Sequence, residues 1–235
     1  MTGAGRQLAM NPTRQKILET AEILFADQGF GATSLRQITE RAGVNLAAVN
    51  YHFGSRLELI REVLKRRLDR LNGERRRRLA SLEAAGAADL DAVLEALIEP
   101  ALELSRDERL GGMRFIRLIA RAYAENDREL HRFLRDHYSG LMKRFAGALA
   151  AALPGLDQAS LRWHLDFVIG ALTYAMADFG GHFRHLNQIR LETEVLTRHL
   201  VDFAAAGLRA AESRAVPPAG RRSAPSVSIS LRASS

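Results

Sequence analysis

Residues Gly43–Arg56 read GVNLAAVNYHFGSR. The stretch is short and polar, yet Leu46, Val49 and Phe53 fall at helical spacing within it. Just ahead, Ser34 is followed three residues later by Gln37, the spacing of a capping box. Gly43 suits the left-handed backbone that closes a helix. Asn45 can accept a hydrogen bond from the free amides of the helix that follows. Two short helices joined by a turn at 43–45 make a helix-turn-helix. Helical geometry places Leu46, Val49 and Phe53 inward, and Ala47, Asn50 and Tyr51 outward.

The outward face has the chemistry of a DNA reader. Ala47 and Ala48 allow close approach to base edges, and Asn50 offers the donor–acceptor pair that adenine matches in the major groove. Tyr51 and His52 can donate to phosphate oxygens. Arg56, in the first turn of the next helix, can do so with charge beside free helix amides. Ser34, Arg36, Asn45 and Leu46 complete the expected DNA-facing set.

Working outward, nearly every segment reads as helix, with no strand alternation and no Asn-Gly or Asp-Gly hairpin signal. The expected class is all-α. A first helix runs from about Pro12 to Gln28, with Gly29 at its end. A fourth opens at Ser55 with Glu58 three residues on and continues to about Ala80. Further helices are expected near 89–105, 110–125, 127–153, 158–180 and 189–212. The division is then a flexible N-terminus (1–11), a three-helix helix-turn-helix domain (12–60), a larger helical ligand-binding and dimerisation domain (61–212), and a disordered basic tail (213–235).

The 235 residues carry a net charge of +7, unevenly spread. Residues 57–80 hold nine basic and four acidic side chains, whereas 81–212 hold fifteen and nineteen. A polyanion partner toward the N-terminal end is the electrostatic reading. The run ArgArgArgArg at 75–78 fits that reading and a solvated helix face equally well. Zero cysteines remove disulfide and thiol chemistry. No apolar run approaches a membrane span, and the N-terminus lacks a signal-peptide core, so a cytoplasmic protein is expected.

On these residues the N-terminal part resembles the tetracycline-repressor (TetR) family of bacterial regulators. The likeness covers residues 12–60 and rests on ILETAEILFADQGFGATSLRQITERAGV followed by NLAAVNYHFGSRLELI. It implies an operator-binding head, a dimer, and a C-terminal domain that takes a small-molecule effector. Two residues depart from the family pattern. Asn50 stands where many members have a phosphate-binding tyrosine, with Tyr51 one position on, and Arg56 stands where lysine is usual. The NLAAVNYHFGS variant and segment 111–145 also resemble a subset associated with fatty-acid or acyl-coenzyme A regulation.

The C-terminal residues support the dimer independently. In 158–180, Leu161, Leu165, Val168 and Leu172 form one apolar stripe, and Trp163, Phe167, Gly170 and Tyr174 form another. A helix apolar on two sides needs two covers. A partner copy can supply one, with Ala171, Leu196, Leu200 and Phe203 beside it. For the effector, Met113, Arg117, Arg121, Tyr123, His137, Tyr138 and Tyr174 are the expected contacts, with Arg117 or Arg121 anchoring an acid and apolar neighbours taking a chain. Asp178, His182 and His185 have helical spacing, but Gly180 and Gly181 interrupt them and the ligand set is incomplete, so neither metal nor cofactor is expected. No nucleophile elbow, phosphate loop or His-Glu-x-x-His motif appears. An enzyme without recognisable motifs and a helical protein-binding scaffold remain the rival classes, and both predict no sequence-specific DNA affinity.

Overall fold

The computed structural model describes residues 11–107, 112–177 and 192–215. Among them the chain is helical throughout, without strands. Three short helices come first: α1 (Pro12–Gln28), α2 (Leu35–Ala42) and α3 (Leu46–Phe53). A long α4 (Arg56–Ala85) leads to α5 (Leu90–Arg106), α6 (Gly112–Ala124), α7 (Arg128–Ala152), α8 (Gln158–Ala177) and α9 (Thr193–Ala215).

Local chemistry sets the early boundaries. Asn11 accepts from the Thr13 and Arg14 amides at the start of α1, where Pro12 loses no helical hydrogen bond. Ser34 and Gln37 cap α2 reciprocally, and Asn45 Oδ1 accepts from the Ala48 amide at 2.9 Å. Gly43 lies in the left-handed region (φ 66°, ψ 38°), which turns the chain from α2 into α3.

The expected boundary at residue 60 falls inside α4, which runs without interruption from the head into the larger domain. At 30 residues it is about 45 Å long. Its apolar face, with Leu59, Leu64, Leu68 and Leu79 fully buried, packs first on α1 and then on α5 and α7. Each such side chain contributes about 1.5–3 kcal/mol by leaving water. At the other end, α9 reaches Ala215, so the boundary expected at 212 also lies within a helix. The cluster Asp178, His182 and His185 lies outside the described residues, as does most of the expected tail.

A buried ion pair also joins head and body. Arg67 on α4 grips Glu22 on α1 with Nε at 3.1 Å and Nη2 at 2.7 Å, and the Glu22 side chain is only 3% exposed. Breaking such a pair strands a buried charge, so it fixes how α1 sits on α4.

Gly29 ends α1 at φ 91°, ψ 164°, a conformation nearly confined to glycine. A methyl there would lie 2.6 Å from Arg121 Nη1. Gly29→Ala is expected to lower folding stability by about 1–3 kcal/mol. Gly31→Ala, whose methyl meets nothing within 4 Å, should leave the melting temperature nearly unchanged. Equal thermal unfolding of the two variants would contradict the strain assigned to Gly29.

Candidate DNA-reading face and ligand cavity

The exposed surface of α3 and the start of α2 form one polar face. Tyr51 is 84% exposed, Ala47 and Asn50 are exposed, and Ala48 and His52 are half-buried. Val49 and Phe53 are buried as the spacing required. Leu46 is not, with 49% of its surface exposed. Side chains lean toward a helix's N-terminus, so a first-turn residue projects past the end of so short a helix. Arg36 stands at the edge of the face with its Nε on Glu40 at 2.8 Å. The oxygens of Ser34 and Asn45 are used as helix caps.

Arg56 is committed inward. Its Nη2 donates to the Phe30 carbonyl and, at 3.2 Å, to the Thr33 carbonyl. It therefore ties the loop between α1 and α2 to the start of α4. The expectation of a free phosphate-binding cation is corrected here, because two backbone acceptors distant in sequence take up the guanidinium.

The four arginines at 75–78 do not form a basic patch. Arg77 pairs with Glu74, and Arg78 pairs with Glu74, Glu99 and Glu103. Partial burial disfavours the Arg78 charge, but its hydrogen bonds to Glu74 and Glu99 outweigh that and hold its pKa above the ordinary value. The run also begins 19 residues beyond Arg56, about 28 Å along α4.

Arg75 turns into the body and is only 4% exposed. It borders a cavity of about 910 Å³ enclosed by α4–α8, toward the upper end of the range for small-molecule sites. Leu71, Phe115, Ile116, Leu161, Leu165 and Leu172 form its buried apolar wall. The exposed residues Lys143, Arg162, Asp166 and Thr173 line it too and mark its mouth. Arg75 Nε donates to the Leu97 carbonyl at 2.8 Å, in the stretch of α5 where Pro100 cannot donate a helical hydrogen bond. Burial pulls the Arg75 pKa down to about 10, which leaves it charged at neutral pH. Burial pushes the Tyr138 phenol up, with Arg75 opposing, and burial likewise raises Tyr123.

Tyr123 and Tyr138 border this cavity, but the other expected effector contacts lie elsewhere. Arg121 points from α6 toward the head, with Nε 3.1 Å from the Ala26 carbonyl and Nη2 3.0 Å from that of Asp27. Arg117 is largely exposed and 3.9 Å from Asp27. Met113 is at the exposed start of α6, and His137 Nε2 is 3.1 Å from Asp69. Tyr174 is half exposed on α8. The arginine stripe of α6 is therefore its head-facing side, while Ile116, Ile119 and Tyr123 of the same helix face the cavity. In the sequence Arg75 stands out only as one of the four arginines at 75–78; the signal for its inward position is that it lies four residues after Leu71 on an otherwise apolar line.

α8 divides its surface three ways. Leu161, Leu165, Val168 and Leu172 are buried, and Arg162, Asp166, Ile169 and Thr173 border the cavity. Trp163, Phe167, Gly170 and Tyr174 face outward, with the Trp163 and Phe167 rings stacked at 6.2 Å. Phe203 on α9 is 65% exposed. Ala171, Leu196 and Leu200 are half-buried, and the two leucines pack against the core, so they contribute less to that surface than expected.

Two family descriptions match the chain: "Bacterial regulatory proteins, tetR family" over residues 17–63, and "Tetracyclin repressor-like, C-terminal domain" over 95–207. The chain belongs to the tetracycline-repressor family. Its members named among the relatives are transcriptional regulators rather than enzymes. It is 36% identical over 90 residues to the transcriptional repressor KstR2 of Rhodococcus jostii, covering 38% of this chain and 42% of that protein. It is 37% identical over 67 residues to the transcriptional activator FasR of Mycolicibacterium smegmatis, covering 28% and 31%. The matched segments thus span less than half the length of these curated relatives. Among solved structures, the fatty acid degradation regulator FadR of Bacillus halodurans superposes with a TM-score of 0.64 at 15% identity, covering 85% of this chain and 97% of that one. The ketosteroid transcriptional regulator KstR2 of Mycobacterium tuberculosis gives 0.61 at 19%, covering 83% and 93%. At these identities the structural likeness is one of fold.

The inward commitment of Arg56 has a measurable consequence. Arg56→Ala removes charge-assisted hydrogen bonds to two carbonyls and is expected to lower stability by about 1.5–3 kcal/mol. Arg36→Ala, at a solvent-exposed pair, should leave stability nearly unchanged. Denaturant titration separates them. An Arg56→Ala variant as stable as the wild type would return that residue to the DNA surface.

Proposed function

We propose that this protein is a sequence-specific DNA-binding regulator, a repressor released from its operator when the cavity fills. The proposed effector is a long-chain acyl compound, either a fatty acid or its acyl-coenzyme A. The observation that carries the reading is the double use of α6. One side of that helix borders the cavity through Ile116, Ile119 and Tyr123. Another side holds the last carbonyls of α1 through Arg121. A ligand that shifts α6 therefore acts directly on the helix that supports the head.

In this reading two copies pair through the outward faces of α8 and α9, where Trp163, Phe167 and Phe203 are exposed. Contiguous exposed apolar surface of this kind marks an interaction site, and like faces suit a two-fold pair. The two α3 helices then enter successive major grooves, about 34–36 Å apart or a little more. Asn50 and the alanines at 47 and 48 read base edges, while Tyr51, His52 and Arg36 hold phosphates. An effector that binds preferentially to a form with a different head spacing lowers DNA affinity. The largely apolar cavity wall supports an acyl chain. Relatives described as regulating fatty acid degradation and ketosteroids favour an apolar metabolite as well.

The test is fluorescence anisotropy at fixed salt with DNA from upstream of the protein's own gene and scrambled DNA as control. Hexadecanoate and hexadecanoyl-coenzyme A are then added. Preference for the upstream DNA, lost on adding either compound, is the expected result. Equal affinity for both DNAs, followed by no enrichment in a genomic-site selection, would overturn the DNA-reading assignment. Tyr51→Ala is expected to weaken operator binding while leaving hexadecanoate affinity unchanged. Undiminished operator binding by that variant would remove Tyr51 from the interface.

A further inference from the structure

The innermost charge of the cavity is unbalanced. Arg75 is 4% exposed, and no carboxylate among the described residues forms an ion pair with it. Its hydrogen bond to the Leu97 carbonyl uses Nε, which anchors the guanidinium on the α5 backbone. Its terminal nitrogens make no hydrogen bond among the described residues, and Arg75 lines the cavity. One turn away on α4, Asn72 is fully buried, and neither its Oδ1 nor its Nδ2 has a hydrogen-bond partner. A buried amide without partners is costly, because its desolvation is not repaid. The exposed cations, Lys143 and Arg162, lie at the mouth instead.

This gradient orients a ligand. An acyl-coenzyme A entering tail first would leave its phosphates at the mouth and lay methylenes against the Arg75 charge. An acid entering head first would place a carboxylate on a fixed guanidinium, which is pre-shaped for two-point pairing. We propose that Arg75 is the anion anchor of the effector site, and that the cavity takes an amphipathic free acid with its carboxylate innermost. This rests on the effector reading above and narrows it, because a thioester has no carboxylate to offer. Tyr138, whose phenol stays protonated, adds a neutral donor beside the site.

The experiment is calorimetric titration of the full-length protein with hexadecanoate, methyl hexadecanoate, hexadecanol and hexadecanoyl-coenzyme A, in the wild type and in Arg75→Gln, Arg75→Met and Arg75→Lys. The wild type is expected to prefer hexadecanoate to its ester and alcohol by on the order of ten- to a hundredfold, the worth of a charge-assisted hydrogen bond. Arg75→Gln and Arg75→Met should lose that preference while still binding the ester, and Arg75→Lys should recover part of it. Retained ester binding shows that a variant is folded. A purely structural Arg75 would weaken all four compounds together, which overturns the proposal. Equal wild-type affinity for acid and ester overturns it too, without recourse to any variant. Acid preference abolished in Arg75→Gln, but with no effect of hexadecanoate on operator binding, supports the anchor and contradicts the effector reading. Tighter binding of hexadecanoyl-coenzyme A than of hexadecanoate keeps that reading and overturns the innermost carboxylate. Binding of none of the four overturns both.

Discussion

The contact on which the arrangement depends is Arg121 against the end of α1. The last carbonyls of a helix have no amide partners within it and carry the negative end of its dipole. α1 has no basic residue in its own last turn. Arg121 supplies that charge from another helix, donating to Ala26 and Asp27. Gly29 makes room for it, since any side chain would strain the backbone there and crowd the guanidinium. The head is thereby attached to the helix that walls the cavity, and the continuous α4 provides a second, stiffer connection. Among the described residues, α4 and α6 are the helices through which a change of shape in the body reaches α1.

Arginine in this chain does four different things, and its environment decides which. Arg36 lies in water at the edge of the reading face. Arg56 and Arg121 hold loops and helix ends through backbone carbonyls. Arg67 pays for its burial with Glu22. Arg75 is buried beside the cavity without an acid. A net charge of +7 therefore says little about where a polyanion binds, since Arg61, Lys65, Arg67, Arg77 and Arg78, half of the ten basic residues of α4, are ion-paired within the protein.

The helix-turn-helix was legible because its determinants are local. Caps at Ser34 and Asn45 act within three residues, Gly43 acts on its own backbone, and Val49 and Phe53 repeat at helical spacing. The two faces of α8 were legible for the same reason. The roles of the arginines were not, because their partners are far away in sequence. Arg56 bonds a carbonyl 26 residues back, Arg75 one 22 residues on, and Arg121 one 95 residues back. No spacing rule distinguishes a cation that will meet phosphate from one that will meet a backbone oxygen. The i, i+3, i+7 pattern of Arg114, Arg117 and Arg121 did mark a common side of α6, but periodicity does not say whether that side faces ligand, solvent or another helix. Leu46, read both as an inward residue of the helical stripe and as part of the DNA-facing set, is exposed, since a first-turn side chain has no core beneath it.

The most direct measurement is the distance between the two heads of a dimer. The sequence has no cysteine, so a single Arg41→Cys, on the exposed end of α2, gives one spin label per copy. Pulsed dipolar spectroscopy without DNA would then compare the distance distribution with and without saturating hexadecanoate. A ligand-dependent shift in the principal distance is the expected result. An identical distribution at demonstrated cavity occupancy, or no intermolecular dipolar signal at all, would contradict the coupling of cavity to reading face.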